Sequence, residues 1–277
     1  PMAARVNGMD YPALVRRETF LGQVVPTDGM VESVRTRPLR GRNAVGAKPA
    51  ELAEGGTEVL PVVCDTSLEA SVHALAQATL DRFGAAHVLC NNAGVAGKVD
   101  PWSGPMSAGE WVVGINLYGV VHGIRAFLPI MQDQGEGHIV NTASMAGLIA
   151  FPGAAAYNAT KTAVVAITEG LFLEMKGTGS PVGVSVLCPG FVKTNLVAGQ
   201  QWQQRLGPEP PKSTDALGQM IETILADGVE NGVDPDGIAA QVLDAILTDR
   251  FWILTHPEMR QAPVERMQRA AAQENPA

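Results

Sequence analysis

Cysteine is scarce in this chain, basic residues are outnumbered, and no stretch stays apolar for long; each shortage removes a class of protein. The three cysteines, Cys64, Cys90 and Cys188, show neither a CxxC pair nor Cys/His spacing. A disulfide framework and a zinc site are therefore not expected, and buried reduced thiols are. Lys and Arg number 20 against 28 Asp and Glu, a formal net charge of −8. Surfaces for nucleic acid or anionic membrane need clustered cations, so neither partner is expected and small-molecule chemistry remains. No apolar run approaches the roughly 20 residues that span a bilayer. The first residues lack a basic stretch followed by an apolar core, so no signal peptide is expected and the cytoplasm is the expected compartment. Pro1 ahead of Met2 reads as the edge of a fragment.

What is present is a regular alternation. At 277 residues, 46% hydrophobic and 17% charged, the chain suits one large folded domain. Strands are predicted over 58–64 (EVLPVVC), 87–90, 137–142, 182–188 and 251–255, and helices over 68–83, 110–132, 156–176 and 238–248. Strands separated by helices of that length imply crossover units: an α/β fold, a single doubly wound parallel sheet with helices on both faces. Residues 195–237 break the rhythm with Gly, Pro, Gln and Asp and read as a long irregular insert. The tail after His256 is polar, either a terminal helix or loose.

Chemistry gathers at the predicted strand ends. Asp65 and Thr66 follow the first of these strands; Asn91, Asn92, Ala93 and Gly94 follow the second. Ser144 follows HIVNTA, and Pro189 and Gly190 follow VSVLC. In a parallel sheet the carboxyl ends of strands face the ligand crevice. Tyr157 and Lys161, four apart at the start of a helix, project from one face. A nearby ammonium favours the phenolate, which makes tyrosine usable as an acid or base near neutral pH. A bland reading stands beside each of these. The Tyr/Lys pair is common on helix surfaces, Asp65 suits a helix cap, Asn116 suits a bridge between the carbonyls of two strands, and the glycines suit plain turns.

NNAG, then Ser144, then Tyr-x-x-x-Lys thirteen residues on, then PGFVKT resemble the short-chain dehydrogenase/reductase family, in order and register from about residue 57 to 195. The resemblance implies a Rossmann-like fold and an NAD(P)-dependent oxidoreductase that interconverts a secondary alcohol and a ketone. It implies that Tyr157 is the acid/base, that Lys161 lowers the Tyr157 pKa and binds the nicotinamide ribose, and that Ser144 polarises the substrate. Asn116 would complete a proton relay through a water. NAD or NADP would be lined by Asp65, Thr66, Asn92, Ala93, Gly94, Tyr157, Lys161, Pro189, Gly190, Val192 and Thr194. No metal is required. Homodimers or homotetramers are the implied assembly. Phe191, Leu196, Val197, Trp202, Leu206 and Leu217 in the insert lean towards an apolar substrate.

One family feature is missing. The resemblance calls for a strand, a TGxxxGxG turn and a helix whose N-terminus holds the pyrophosphate. Residues 20–25 (FLGQVV) read as that strand beginning, but Pro26 follows, and Gly29, Gly41 and Gly46 have none of the required spacings. Arg35, Arg37, Arg40 and Arg42 fill the interval without apolar periodicity. The residue that selects NAD or NADP is therefore not located. A slipped reading frame in a GC-rich gene and genuine divergence both account for the segment. The second leaves open a non-catalytic or cofactor-impaired binding protein on the same fold. The expected organisation is an extension over 1–19, the domain over 20–256 with its substrate loop at 195–237, and a tail over 257–277.

Overall fold

The computed structural model describes strand residues 5–6, 9–10 and 20–21, and then residues 60–96, 102, 104–194, 196 and 216–276. Most of the segment that lacks the glycine-rich turn, including Pro26 and its arginines, lies outside the described residues, as do Val197, Trp202 and Leu206. The elements run β1 (Arg5–Val6), β2 (Met9–Asp10), β3 (Phe20–Leu21), α1 (Glu69–Phe83), β4 (Val88–Asn91), α2 (Met106–Val113), a π-helical turn (Gly114–Tyr118), α3 (Gly119–Gln134) and β5 (Gly137–Thr142). After a 3-10 turn (Met145–Gly147) come α4 (Ala155–Thr178), β6 (Val182–Cys188), α5 (Ala216–Glu230), α6 (Pro235–Leu247), β7 (Trp252–Leu254), a second 3-10 turn (Pro257–Met259) and α7 (Gln261–Ala272).

β3, β4, β5, β6 and β7 lie side by side in that order, all parallel. Side chains alternate across this sheet as period-2 geometry requires. Leu89, Ile139 and Val184 point into a cluster with Val72 and Ala76 of α1, Phe127 and Met131 of α3, and Leu171 of α4. Val88, Cys90, Val140 and Leu187 point the other way, onto Ile238, Val242 and Ile246 of α6. Both faces are covered, which is why the strands are rich in branched apolar residues. The expected Rossmann-like α/β fold is the observed one.

Three expectations change. Residues 60–64, part of the predicted strand 58–64, join no strand, and Leu60 and Val63 are exposed. A strand exists only through its partner, and among the described residues none flanks β3 on that side. The insert 195–237 is not wholly irregular: Met220, Ile221, Ile224 and Leu225 fall on helical spacing in α5, which the surrounding Gly, Asp and Gln obscure. The polar tail forms a helix, α7.

α2, the π-helical turn and α3 form one continuous 29-residue helix that is long and apolar enough to cross a membrane by length and composition alone. Its apolar side is spent on the protein core, where Val112, Ile115, Phe127 and Met131 are enclosed. The three cysteines are free and buried, as expected. Burial pushes the thiols of Cys90 and Cys188 up to about 12, so neither is a ready nucleophile.

A buried polar chain ties the sheet together away from the carboxyl ends of its strands. His138 on β5 holds Ser185 Oγ on β6 through Nε2 at 2.8 Å, and Ser185 donates to the Arg250 carbonyl at 2.7 Å, ahead of β7. Burial pushes His138 down to about 4, with Asp249 opposing. Its folded value is below the unfolded one, so the unfolded chain binds the proton first. Stability is then complete above about pH 6.5 and is lost as pH falls towards 4. Over that window the loss attributable to His138 is about 3 kcal/mol. Denaturant unfolding of the wild type and His138→Gln from pH 7 to 4 checks this: the wild type should lose stability more steeply, and equal slopes would contradict it.

Candidate active site

The carboxyl ends of β4, β5 and β6 form one edge, and the helix α4 crosses it. Gly147 sets how closely. A Cβ there would stand 2.6 Å from the Lys161 carbonyl oxygen and 2.9 Å from its carbon, backbone atoms that cannot swing aside. Only glycine lets the turn after Ser144 rest on α4, and this contact carries Ser144 to Tyr157 and Lys161. Ser144 is extended (φ −174°), and its Oγ accepts from Ala146 N at 3.1 Å, capping the 3-10 turn, and reaches the Pro189 carbonyl at 3.4 Å.

Lys161 is only 3% exposed. Its Nζ donates to the Thr142 carbonyl at the end of β5 at 2.8 Å and lies 5.6 Å from the centroid of the Tyr157 ring. Burial pushes the ammonium down to about 8, with Cys188 opposing. Tyr157 is half-buried. Desolvation pushes its phenol up, and a hydrogen bond with Ser144 pulls the other way. In the ligand-free protein the cost of burying a phenolate outweighs that stabilisation.

Asn116 is fully buried in the π-helical turn. Its Oδ1 accepts from Val95 N at 2.8 Å and its Nδ2 donates to the Val95 carbonyl at 3.0 Å, with Thr160 Oγ1 at 3.4 Å. Such turns expose helix backbone and recur at functional sites. The bridge between two strands' carbonyls considered for this asparagine does not form: both amide atoms grip one residue, Val95, and clamp the loop after β4. That loop carries Asn92, which accepts from Thr142 Oγ1 at 3.0 Å, then Ala93 and the buried Gly94.

Asp65 and Thr66 lie beside the start of α3. Asp65 Oδ1 accepts from Ser67 N at 3.0 Å and Ser67 Oγ at 2.6 Å, so the carboxylate organises the turn into α1. Thr66 Oγ1 is buried without a hydrogen bond among the described residues, while its carbonyl meets His122 Nδ1 at 2.9 Å. Val192 forms a lone parallel bridge with Val233 and packs against the α6 face of the sheet; Thr194 Oγ1 accepts from Leu196 N at 3.4 Å. The Phe191 ring lies against Gly228 of α5, so this apolar residue is spent on packing.

One residue on this edge escaped the reading of the sequence. His256, two residues past β7, is 5% exposed and hydrogen-bonded to Gly190 N at 3.0 Å and to the Phe191 carbonyl at 2.9 Å. The available signal was a fifth predicted strand ending, with His256 directly after FWILT, on the edge already marked by four others.

Residues 38–205 match the short chain dehydrogenase family. Among curated relatives, a CLA biosynthesis dehydrogenase/reductase of Lactiplantibacillus plantarum is 34% identical over 79% of this chain and 77% of its own length. A 2-(R)-hydroxypropyl-CoM dehydrogenase of Xanthobacter autotrophicus is 34% identical over 69% of this chain and 78% of its own. Among solved structures, a short chain dehydrogenase/reductase from Burkholderia phymatum in complex with NAD is 38% identical, covers 82% of each chain and superposes with a TM-score of 0.75.

Proposed function

The chain belongs to the short-chain dehydrogenase/reductase family, and on that footing we propose that Ser144, Tyr157 and Lys161 interconvert a secondary alcohol and a ketone at the strand-end site. The enzyme is an NAD(P)-dependent oxidoreductase acting on CH–OH groups. The observation that carries the site assignment is the buried Lys161 ammonium, held at the end of β5 with the Tyr157 ring centroid 5.6 Å away.

The residues present fit the nicotinamide end of the cofactor. An ammonium has three donors, and Lys161 spends one on Thr142, which leaves two for a ribose diol. A Cβ on Gly94 would stand 3.6 Å from Lys161 Nζ, so glycine keeps the backbone after β4 open to close approach beside that ammonium. Gly190 and Thr194 would hold the nicotinamide end from the loop after β6, and Asp65 would accept at the adenine end, as in the family this chain belongs to. The segment where the family's pyrophosphate turn would stand lies outside the described residues.

When bound, the nicotinamide supplies or takes the hydride. Tyr157 gives its phenolic proton to the ketone oxygen in reduction and takes the hydroxyl proton in oxidation. Ser144 hydrogen-bonds the same oxygen and fixes the carbonyl against Tyr157. Asn116 contributes by holding the Gly94–Val95 turn with both side-chain atoms. Helix α5 lies over the loop after Ser144, with Ile221 Cδ1 3.4 Å from a Cβ position on Gly153, which favours an apolar substrate.

Titration of the purified protein with NADH and NADPH, followed by a panel of secondary alcohols and ketones monitored by reduced-cofactor absorbance, tests the proposal. Saturable binding of one cofactor and turnover of at least one alcohol are expected. Absence of turnover with every substrate at saturating levels of both cofactors would overturn it, and substrate binding without cofactor would favour the non-catalytic alternative.

A further inference from the structure

We propose that His256 is a positioning residue that holds the Gly190–Phe191 turn in the shape the nicotinamide end of the site requires; this rests on the function proposed above. A backbone N–H only donates and a carbonyl only accepts. The Gly190 N–H at 3.0 Å therefore makes Nδ1 the acceptor, and the Phe191 carbonyl at 2.9 Å makes Nε2 the donor. Thr255 Oγ1, 2.8 Å from Nδ1, adds a hydroxyl on the same nitrogen. One ring thus satisfies two consecutive residues of the turn from opposite edges, 66 and 65 positions away in the chain.

The turn has little room to adopt another shape. A Cβ on Gly190 would stand 2.7 Å from Met259 Sδ and 2.8 Å from the His256 ring, so the backbone is seated directly on both. The next residue back, Pro189, accepts from Met145 N at 2.8 Å and from Ser144 Oγ at 3.4 Å. His256 therefore reaches Ser144 through two backbone residues, and it couples the end of β7 to the ends of β6 and β5.

Three substitutions separate this role from simple core packing. His256→Ala removes both contacts, His256→Asn keeps an acceptor with the reach of Nδ1, and His256→Gln keeps a donor with the reach of Nε2 but no acceptor for Gly190. Amide hydrogen exchange across residues 188–194 should quicken in the alanine and glutamine variants and return towards wild type in the asparagine variant. Where the enzyme turns over, the cofactor KM should rise about tenfold for alanine, the scale of one lost hydrogen bond, with kcat changed less and with recovery in asparagine. Wild-type exchange in the alanine variant would overturn the proposal. So would asparagine and glutamine variants that differ only in proportion to their melting temperatures. If the wild type neither binds nor turns over a nicotinamide cofactor, the proposed function falls, while the exchange ranking still decides whether His256 holds the turn.

Discussion

Tyr157→Phe is expected to lower kcat/KM for the alcohol by two to four orders of magnitude, about the scale of a lost general acid or base, while the protein stays folded. The ring is kept, so its volume and its place on α4 persist; only the hydroxyl is removed. Losing the partner of one such hydroxyl costs about 1 kcal/mol, which makes the melting temperature a control rather than a second effect. The pH profile gives an independent reading. Burial raises the Tyr157 phenol, so the base form is scarce near neutrality and alcohol oxidation should climb with pH in the wild type. Ketone reduction, which needs the phenol protonated, should not climb. Steady-state rates in both directions check this, and a phenylalanine variant with wild-type activity would refute the assigned role.

The direction of that shift was not legible in the sequence, and the reason is physical. Spacing shows that Tyr157 and Lys161 share a face, but the sign of the tyrosine shift depends on how deeply the phenol is enclosed, which only the fold sets. Strands β5 and β6 were readable to the residue because burial on both faces selects branched apolar residues, interrupted only by paired polar ones such as His138 and Ser185. The run 58–64 is also rich in branched apolar residues, yet its described part forms no strand, since pairing is a property of two segments and the sequence shows one. Helix α5 was hidden for another reason: four apolar residues at helical spacing lay among residues typical of loops. The strand-end edge itself was legible, because polar and glycine residues directly after apolar runs mark it. His256 lay on the same edge, but a lone histidine has many uses, and its contact with Gly190 spans 66 positions.

Lys161→Met is expected to abolish turnover without a matching loss of stability, which separates catalytic need from folding need at one position. The ammonium is 3% exposed and makes its hydrogen bond to Thr142. Burial lowers it to about 8 from the unfolded 10.5, so near neutral pH the folded protein carries a charge it disfavours by about 3 kcal/mol. Between about pH 8 and 10.5 the unfolded chain holds this proton and the folded chain releases it, so stability rises with pH through that window. Methionine fills similar volume without the charge. It also leaves the Thr142 carbonyl short of a donor, at about 1–3 kcal/mol, so the two effects largely offset. Stability at pH 7 should therefore stay at or above that of the wild type, and the alkaline rise due to Lys161 should vanish. Activity should fall at least a hundredfold, because Tyr157 loses its cationic neighbour and the proposed ribose contact loses its donor. Unfolding curves from pH 7 to 10.5 alongside initial rates decide the matter: a variant several degrees less stable at neutral pH, or one that keeps the alkaline rise, would show that the lysine is structural.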